Sequence, residues 1–471
     1  MDRRKFFKSG SMAAIGATLV SPLHALTNSD FEHASKGKKA KNIIFMVSDG
    51  MSSGTLNMAD IFLNRKYDRS SNWLQLYKDN RVSRALMETA SASSIVTDSA
   101  AASSAWGGGV RVPNGSLNVA ANGEEFLPIW QKFKQSGKMA GCVTTVAITH
   151  ATPAGFCVSS KSRGSMESIA EEYLKLDFDV MLGGGNQYFA SNKRKDKIDV
   201  YARFQQKGYQ VAKNRTALLA ASPNNKILGV FGEDSLPYYI DRNNDEKLKT
   251  EIPTLAEMTQ KAIDRMKNHK NGFVLQVESG KVDWAAHAND VGGLIHEQLA
   301  FDEAVKIAIG FAEKDKETLV IITTDHGNAN PGIIYGKNAD ANFDRIQNYK
   351  KTNEWILNSI TPKSTVAQVR EVIDYANGGT ISEEDAKTVL SYYDGLHKGE
   401  DGLYNYRKLP FHAFAEMQKK TNSVGWISMD HSADHVELAM FGPGSDLLKP
   451  FVKNVDLHYL MLSAAEVSNT F

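Results

Sequence analysis

A serine preceded by an aspartate at the start of a helix is the first chemistry the sequence offers, in Val96-Thr97-Asp98-Ser99-Ala100-Ala101-Ala102-Ser103. Thr97, Asp98 and Ser99 are favourable helix-start residues and 100–106 can continue as helix, so the free N–H groups of its first turn would face an anion beside Ser99. At neutral pH a serine needs a base or a metal to become a nucleophile, and no G-x-S-x-G elbow is present. Metal donors are therefore the next thing to seek. Asp283 and His287 stand four residues apart in Ser279-Gly280-Lys281-Val282-Asp283-Trp284-Ala285-Ala286-His287, which puts both on one helix face within reach of one ion. Taken alone, such a pair is an ordinary helix-surface hydrogen bond. Asp49, Glu278 and Asp325-His326 end separate apolar runs, and His431 lies in Asp430-His431-Ser432-Ala433-Asp434-His435. A donor set of carboxylates and imidazoles without thiolate suits zinc with open coordination positions.

The elements that must position these residues alternate in type. Near-continuous apolar runs at 42–48, 139–146, 179–182, 273–278 and 318–324 predict strands buried on both faces of a parallel sheet. Helical patterns at 126–135, 166–176, 254–267 and 294–313 fall between them, and the alternation predicts an α/β fold. In such sheets ligands bind at the carboxyl ends of the strands, which is where Asp49, Glu278 and Asp325 fall. His150-Ala151-Thr152-Pro153-Ala154 and Lys161-Ser162-Arg163 follow another strand; polar loop residues are ordinarily just solvated, and only agreement with the other motifs raises His150, Thr152 and Arg163 above that. Gly183-Gly184-Gly185 is no dinucleotide fingerprint, because Tyr188 stands where a glycine is needed. Asp241-Arg242-Asn243-Asn244-Asp245 is no EF-hand, with Glu246 at the sixth position and Ile252 at the twelfth. From about 330 to 424 the alternation stops; helical patterns at 366–375, 383–393 and 411–420 predict a helical insertion that covers the site or makes a subunit contact. Strand character returns at 426–429 and 436–441, and a helix over 455–467 closes the fold.

With 471 residues and 42% hydrophobic content, the chain can bury a large core. A net charge of +1 offers no basic field for nucleic acid. Residues 1–25 place Arg3, Arg4, Lys5 and Lys8 before a weakly apolar stretch and Leu23-His24-Ala25, which resembles a twin-arginine export signal with a cleavage site. That stretch is too short for a permanent membrane span. A polar linker at 26–41 then leads to a catalytic domain at 42–471, and export to the periplasm is the expected destination. Cys142 and Cys157 are the two cysteines, read as buried thiols rather than a bridge.

Taken in order, Asp49-Gly50, Thr97-Asp98-Ser99-Ala100-Ala101, Thr152-Pro153-Ala154, Arg163, Glu278 with Asp283 and His287, Asp325-His326 and His431 resemble the alkaline phosphatase family. The resemblance spans roughly residues 42–465 and is specific because these separated motifs match together. It implies a doubly wound, mostly parallel sheet between helical layers, a homodimer, and hydrolysis of small phosphate monoesters through a phosphoserine at Ser99. It also implies two Zn²⁺ and one Mg²⁺: one zinc on Asp283, His287 and His431, the second on Asp49, Asp325, His326 and Ser99, and magnesium on Asp49, Thr152 and Glu278. Arg163 would clamp two phosphate oxygens with its planar fork. Two positions depart from the common bacterial pattern. His150 stands where aspartate is frequent near the third metal, and Trp284 where lysine is frequent beside Asp283. His435 has no role in the resemblance. A phosphodiesterase or sulfatase of the same superfamily is the alternative reading, and a non-catalytic phosphate-binding protein is the alternative from another class; Arg163 favours a monoester, and Ser99 with a full ligand set favours turnover.

Overall fold

The computed structural model describes residues 39–469, so the expected signal at 1–25 and most of the linker at 26–41 lie outside the described residues. Along the chain come β1 (Asn42–Ser48), β2 (Ser83–Glu88), β3 (Met139–Ala147), β4 (Val180–Gly184), β5 (Gln210–Ala212), β6 (Ile227–Val230), β7 (Phe273–Ser279), β8 (Thr318–Thr323), β9 (Gly327–Asn328), β10 (Gly332–Ile333), β11 (Val424–Gly425), β12 (His431–Ser432), β13 (Val436–Phe441) and β14 (Phe451–Lys453). Ten of these form one sheet in the order β14-β2-β13-β8-β1-β7-β3-β4-β6-β5. Every neighbouring pair is parallel except those of β13, which runs antiparallel to β8 and β2.

Strand β1 shows why the apolar runs are unbroken. Its side chains alternate between two cores, Ile44 and Met46 in one and Ile43, Phe45 and Val47 in the other, so neither face can be polar. Helices cover both faces, as the α/β expectation requires. Strand β2, near the edge, reads Ser-Arg-Ala-Leu-Met-Glu and buries only Ala85 and Met87, which is why periodicity did not single it out.

Several boundaries move for identifiable reasons. The helix expected over 126–135 runs Ile129–Gln135, because Pro128 stands at its N-cap and the Phe126 N–H is used by the Asn118 carbonyl. The helix expected from 294 begins at Val291, where the Asp290 side chain accepts the Gly293 N–H. The helix Leu255–Met266 starts with a capping box between Thr254 and Glu257. Residues 426–429 form no strand: the Ile427 and Ser428 N–H groups both donate to the Ala329 carbonyl, and pairing resumes only at β12. Within the insertion, the helices Asn353–Ser359, Val366–Asn377, Glu383–Ser391 and Phe411–Asn422 surround a core of their own that includes Ile356, Val369, Ile373, Val389 and Phe414. The insertion also contributes to a short ribbon, β10 with β11, which the sequence did not suggest. Cys142 and Cys157 are free buried thiols with sulfurs 3.5 Å apart. No helix among the described residues is long and apolar enough to cross a membrane.

Candidate active site

Four adjacent strands, β8, β1, β7 and β3, bring the singled-out residues to one sheet edge. Asp49 follows β1, Asp325 and His326 follow β8, Glu278 is near the end of β7, and His150 and Thr152 follow β3. Gly50 explains its place in the motif. Its φ is +67°, and a Cβ there would lie 2.5 Å from Asp283 Oδ1, so only glycine lets the helix Lys281–His287 approach Asp49 this closely. The Gly50 N–H donates to Asp325 Oδ1 at 2.9 Å, fixing one carboxylate against the next strand.

Asp283, His287 and His431 form one cluster whose donor atoms lie within 4.8 Å of one another. The hydrogen bonds settle the tautomers. His287 Nδ1 meets the Met429 carbonyl at 2.5 Å and His431 Nδ1 meets the Thr97 carbonyl at 2.9 Å, so both Nδ1 atoms carry the proton. The two Nε2 atoms then face each other at 3.1 Å, each 3.4 Å from an Asp283 oxygen. Two lone pairs opposed at that distance beside a carboxylate call for a cation between them. Without one, burial works to lower the His287 pKa, but the Asp283 charge overrides it and holds the group at about 9.

A second cluster joins Asp49, Asp325 and His326, and a third joins Asp49, Glu278 and His150. His326 lies between Asp325 Oδ2 at 3.2 Å and Asp49 Oδ1 at 3.7 Å, and its ring stacks on His431 with centroids 3.7 Å apart. Thr152 Oγ1 donates to Asp49 Oδ2 at 3.2 Å. Asp49 Oδ1, Asp325 Oδ2 and both Glu278 oxygens are buried and have no hydrogen-bond partner. Burial, then the charges of Asp325, Asp283 and Glu278, push the Asp49 carboxyl well above its ordinary range, and burial pushes Glu278 to about 7. Buried, unpartnered and mutually repelling carboxylates fit divalent cations.

The nucleophile candidate reaches this edge on the helix Ser99–Gly108, whose N-cap Asp98 accepts the Ala101 N–H at 2.9 Å. Ser99 is 2% exposed, and its Oγ lies 3.3 Å from His326 Nε2. The other Asp98 oxygen accepts from Arg163 Nη1 and from the Gly115 N–H, each at 3.0 Å. Arg163 Nη2 lies 3.1 Å from His150 Nε2. Trp284 meets the His150 ring edge-on at 6.2 Å, and His435 is exposed and packs edge-on against Phe451, apart from these clusters.

Two contributors escaped the sequence reading. Asp98, a helix-start residue by type, also anchors Arg163, a role no sequence spacing signals. Asn328, two residues beyond His326, donates from Nδ2 to Asp283 Oδ1 at 2.7 Å while β9 pairs with β12 and sets Asn328 opposite His431. The only available signal was proximity to a ligand, because an asparagine in a two-residue strand has no periodic signature.

The alkaline phosphatase family model matches residues 40–467. Alkaline phosphatase 4 of Bacillus subtilis is 33% identical over 437 residues, covering 90% of this chain and 88% of the relative. Among solved structures, the alkaline phosphatase of Thermus thermophilus superposes with a TM-score of 0.86 at 31% identity, covering 96% of each chain. The cold-active alkaline phosphatase of a psychrophilic Shewanella species gives 0.76 at 26% identity, over 90% of this chain and 99% of that one. Three donor clusters, a buried serine that meets one of them and an arginine that meets His150 of another are thus found on a chain related along nearly its full length to phosphatases. The chain belongs to the alkaline phosphatase family and is a metal-binding enzyme that hydrolyses phosphate monoesters.

Proposed function

We propose that hydrolysis proceeds through a phosphoserine at Ser99, with two Zn²⁺ and one Mg²⁺ as the resident ions. Asp283, His287 and His431 would hold the first zinc, Asp49, Asp325 and His326 the second together with the Ser99 oxygen, and Asp49, Thr152 and Glu278 the magnesium. When bound, such ions stabilise the attacking and leaving oxygens of an in-line displacement and lower the pKa of the serine hydroxyl. Ser99 directs its oxygen at the phosphorus from a helix start whose free N–H groups face the same anion. Arg163, held by Asp98, would grip two non-bridging oxygens. That grip, with cations on either side, favours the three free oxygens of a monoester over a diester.

The observation that carries the reading is the Ser99 oxygen at 3.3 Å from His326 Nε2, in contact with one donor cluster and adjoining another. Enzyme quenched in acid with a ³²P-labelled monoester is expected to carry label on Ser99, and Ser99→Ala is expected to lose it while still binding phosphate. Label on Thr97, or none, would overturn the mechanism. Turnover of diesters at a rate comparable to monoesters would overturn the substrate class. We also propose export to the periplasm with cleavage after Ala25, which the N-terminus of the mature protein tests by mass spectrometry, and a homodimer, which sedimentation tests.

A further inference from the structure

The cluster of Asp283, His287 and His431 is assembled from two segments far apart in sequence, the helix Lys281–His287 and β12, which His431 opens after a loop. Two histidines that share one ion must be held to within about half an ångström of the productive geometry. Their Nδ1 bonds fix each ring's rotation, and something else must hold the loop against the helix end.

Asn289 stands at that junction. It is 1% exposed and has a φ of +45°, a left-handed conformation that asparagine tolerates better than other side-chain-bearing residues. Its Nδ2 donates to the Ala286 carbonyl at 3.1 Å, one residue before His287, and to the Ser428 carbonyl at 2.8 Å, three residues before His431. Carbonyls only accept, so the amide's orientation is fixed and Oδ1 must point the other way. There it lies 3.2 Å from His412 Nδ1, on the insertion helix Phe411–Asn422, and His412 must be the donor. One side chain thus joins the ligand helix, the ligand loop and the insertion. The next residue reinforces the junction, since Asp290 Oδ2 accepts the Asn353 N–H at 2.6 Å from the first helix of the insertion core.

We propose that Asn289 is a positioning residue for the His287 and His431 pair, and that through His412 the helical insertion sets the geometry of this one metal site. The proposal rests on the reading that the cluster holds zinc. It accounts for an asparagine rather than a glycine at a left-handed position, because glycine would keep the backbone but release both segments. Aspartate would set an acceptor against two carbonyls.

Asn289→Gly preserves the backbone conformation and removes only the ties, so it is the discriminating variant. Zinc affinity is measured by titrating metal-free protein against a chromophoric chelator. Site occupancy is measured by zinc-edge anomalous scattering from crystals equilibrated over a range of free zinc. In Asn289→Gly, zinc at the Asp283, His287 and His431 cluster is expected to weaken by about 10–100-fold, with the Asp49, Asp325 and His326 cluster unchanged. His412→Phe, altered on an exposed side chain that leaves the fold intact, is expected to weaken the same cluster by about two- to tenfold. Wild-type affinity in both variants, or a parallel loss at both clusters, would overturn the proposal; should Asn289→Gly not fold, the result for His412→Phe decides it. Absence of zinc from this cluster in the wild-type protein would instead overturn the reading on which the proposal rests.

Discussion

His150 cannot serve Arg163 and a metal ion with the same nitrogen. The guanidinium only donates, so His150 Nε2 accepts from Arg163 Nη2, and a neutral imidazole then carries its proton on Nδ1, which is buried without a partner. Burial, then the Arg163 charge, lowers the His150 pKa to about 3, so the ring is neutral in the working range. A neutral imidazole beside Asp49 and Glu278 adds no negative charge for magnesium, which prefers anionic oxygen. His150→Asp supplies that oxygen and is expected to tighten magnesium by about tenfold or more, the scale on which changes around a metal site act. Metal analysis of both proteins across a magnesium titration checks this, and equal affinity would show that His150 does not govern the third site. Most of the site was legible in the sequence at this scale because Asp49, Glu278, Asp325 and His326 are polar residues at the ends of apolar strands. The contact between His150 and Arg163 was not, since it joins two loop residues whose separation in space no spacing rule gives.

Two short helices set the distance between Ser99, the proposed nucleophile, and the third cluster. The helix Ser99–Gly108 crosses the helix Ala151–Cys157 so closely that a Cβ on Gly155 would lie 2.1 Å from Ser103 Oγ, and one on Gly107 would lie 1.9 Å from the Gly155 carbonyl. Ser103 Oγ donates across the crossing to the Ala151 carbonyl at 3.0 Å, tying the Ser99 helix to the turn that carries Thr152. Gly155→Ala must push the helices apart, with an expected cost of about 1–3 kcal/mol in stability. Because a displacement near 1 Å spoils the alignment of reacting groups, kcat is expected to fall by about a hundredfold. Thermal melting and steady-state kinetics check both, and a wild-type kcat would show that the crossing does not position Ser99. The helix over 100–106 was legible, but its packing partner was hidden in a loop-like sequence containing Pro153 and Gly155. Elements buried on both faces, such as β1 and β8, could be read directly. Edge or very short strands such as β2, β5 and β14 could not, because three residues or a half-exposed face leave no apolar run.

Across the whole molecule, two kinds of buried group oppose each other in pH: burial raises Asp290 and Glu297 to about 7, which favours the folded state as the pH falls, and buried histidines act the other way. His296 and His458 are both lowered to about 4 by burial, below the unfolded value near 6.5, so the stability they contribute is present above pH 6.5 and is lost as the pH falls towards 4. In metal-free protein His458→Gln is therefore expected to raise the melting temperature at pH 4.5 relative to that at pH 6.5, compared with wild type; an unchanged pH dependence would mean His458 contributes nothing to it. Ion binding acts on a larger scale. The proposed ligand residues come from the ends of β1, β7 and β8, the starts of the helices Ser99–Gly108 and Ala151–Cys157, the helix Lys281–His287 and β12, so ions bound to them would cross-link segments from nearly the whole length of the chain. Each ion that binds only the native state stabilises it by RT ln(1 + [L]/Kd), about 4 kcal/mol at a thousand times Kd. Removing the ions also leaves Asp49 Oδ1, Asp325 Oδ2 and both Glu278 oxygens buried without partners. Exhaustive chelation near neutral pH is therefore expected to abolish activity and to lower the melting temperature together. Zinc should restore both, with magnesium adding to the recovery. Metal content and calorimetry measured on the same samples check it: full activity at zero bound metal, or a melting temperature that does not move when the metal is removed, would refute the assignment of these clusters as the centre that both folds and works the enzyme.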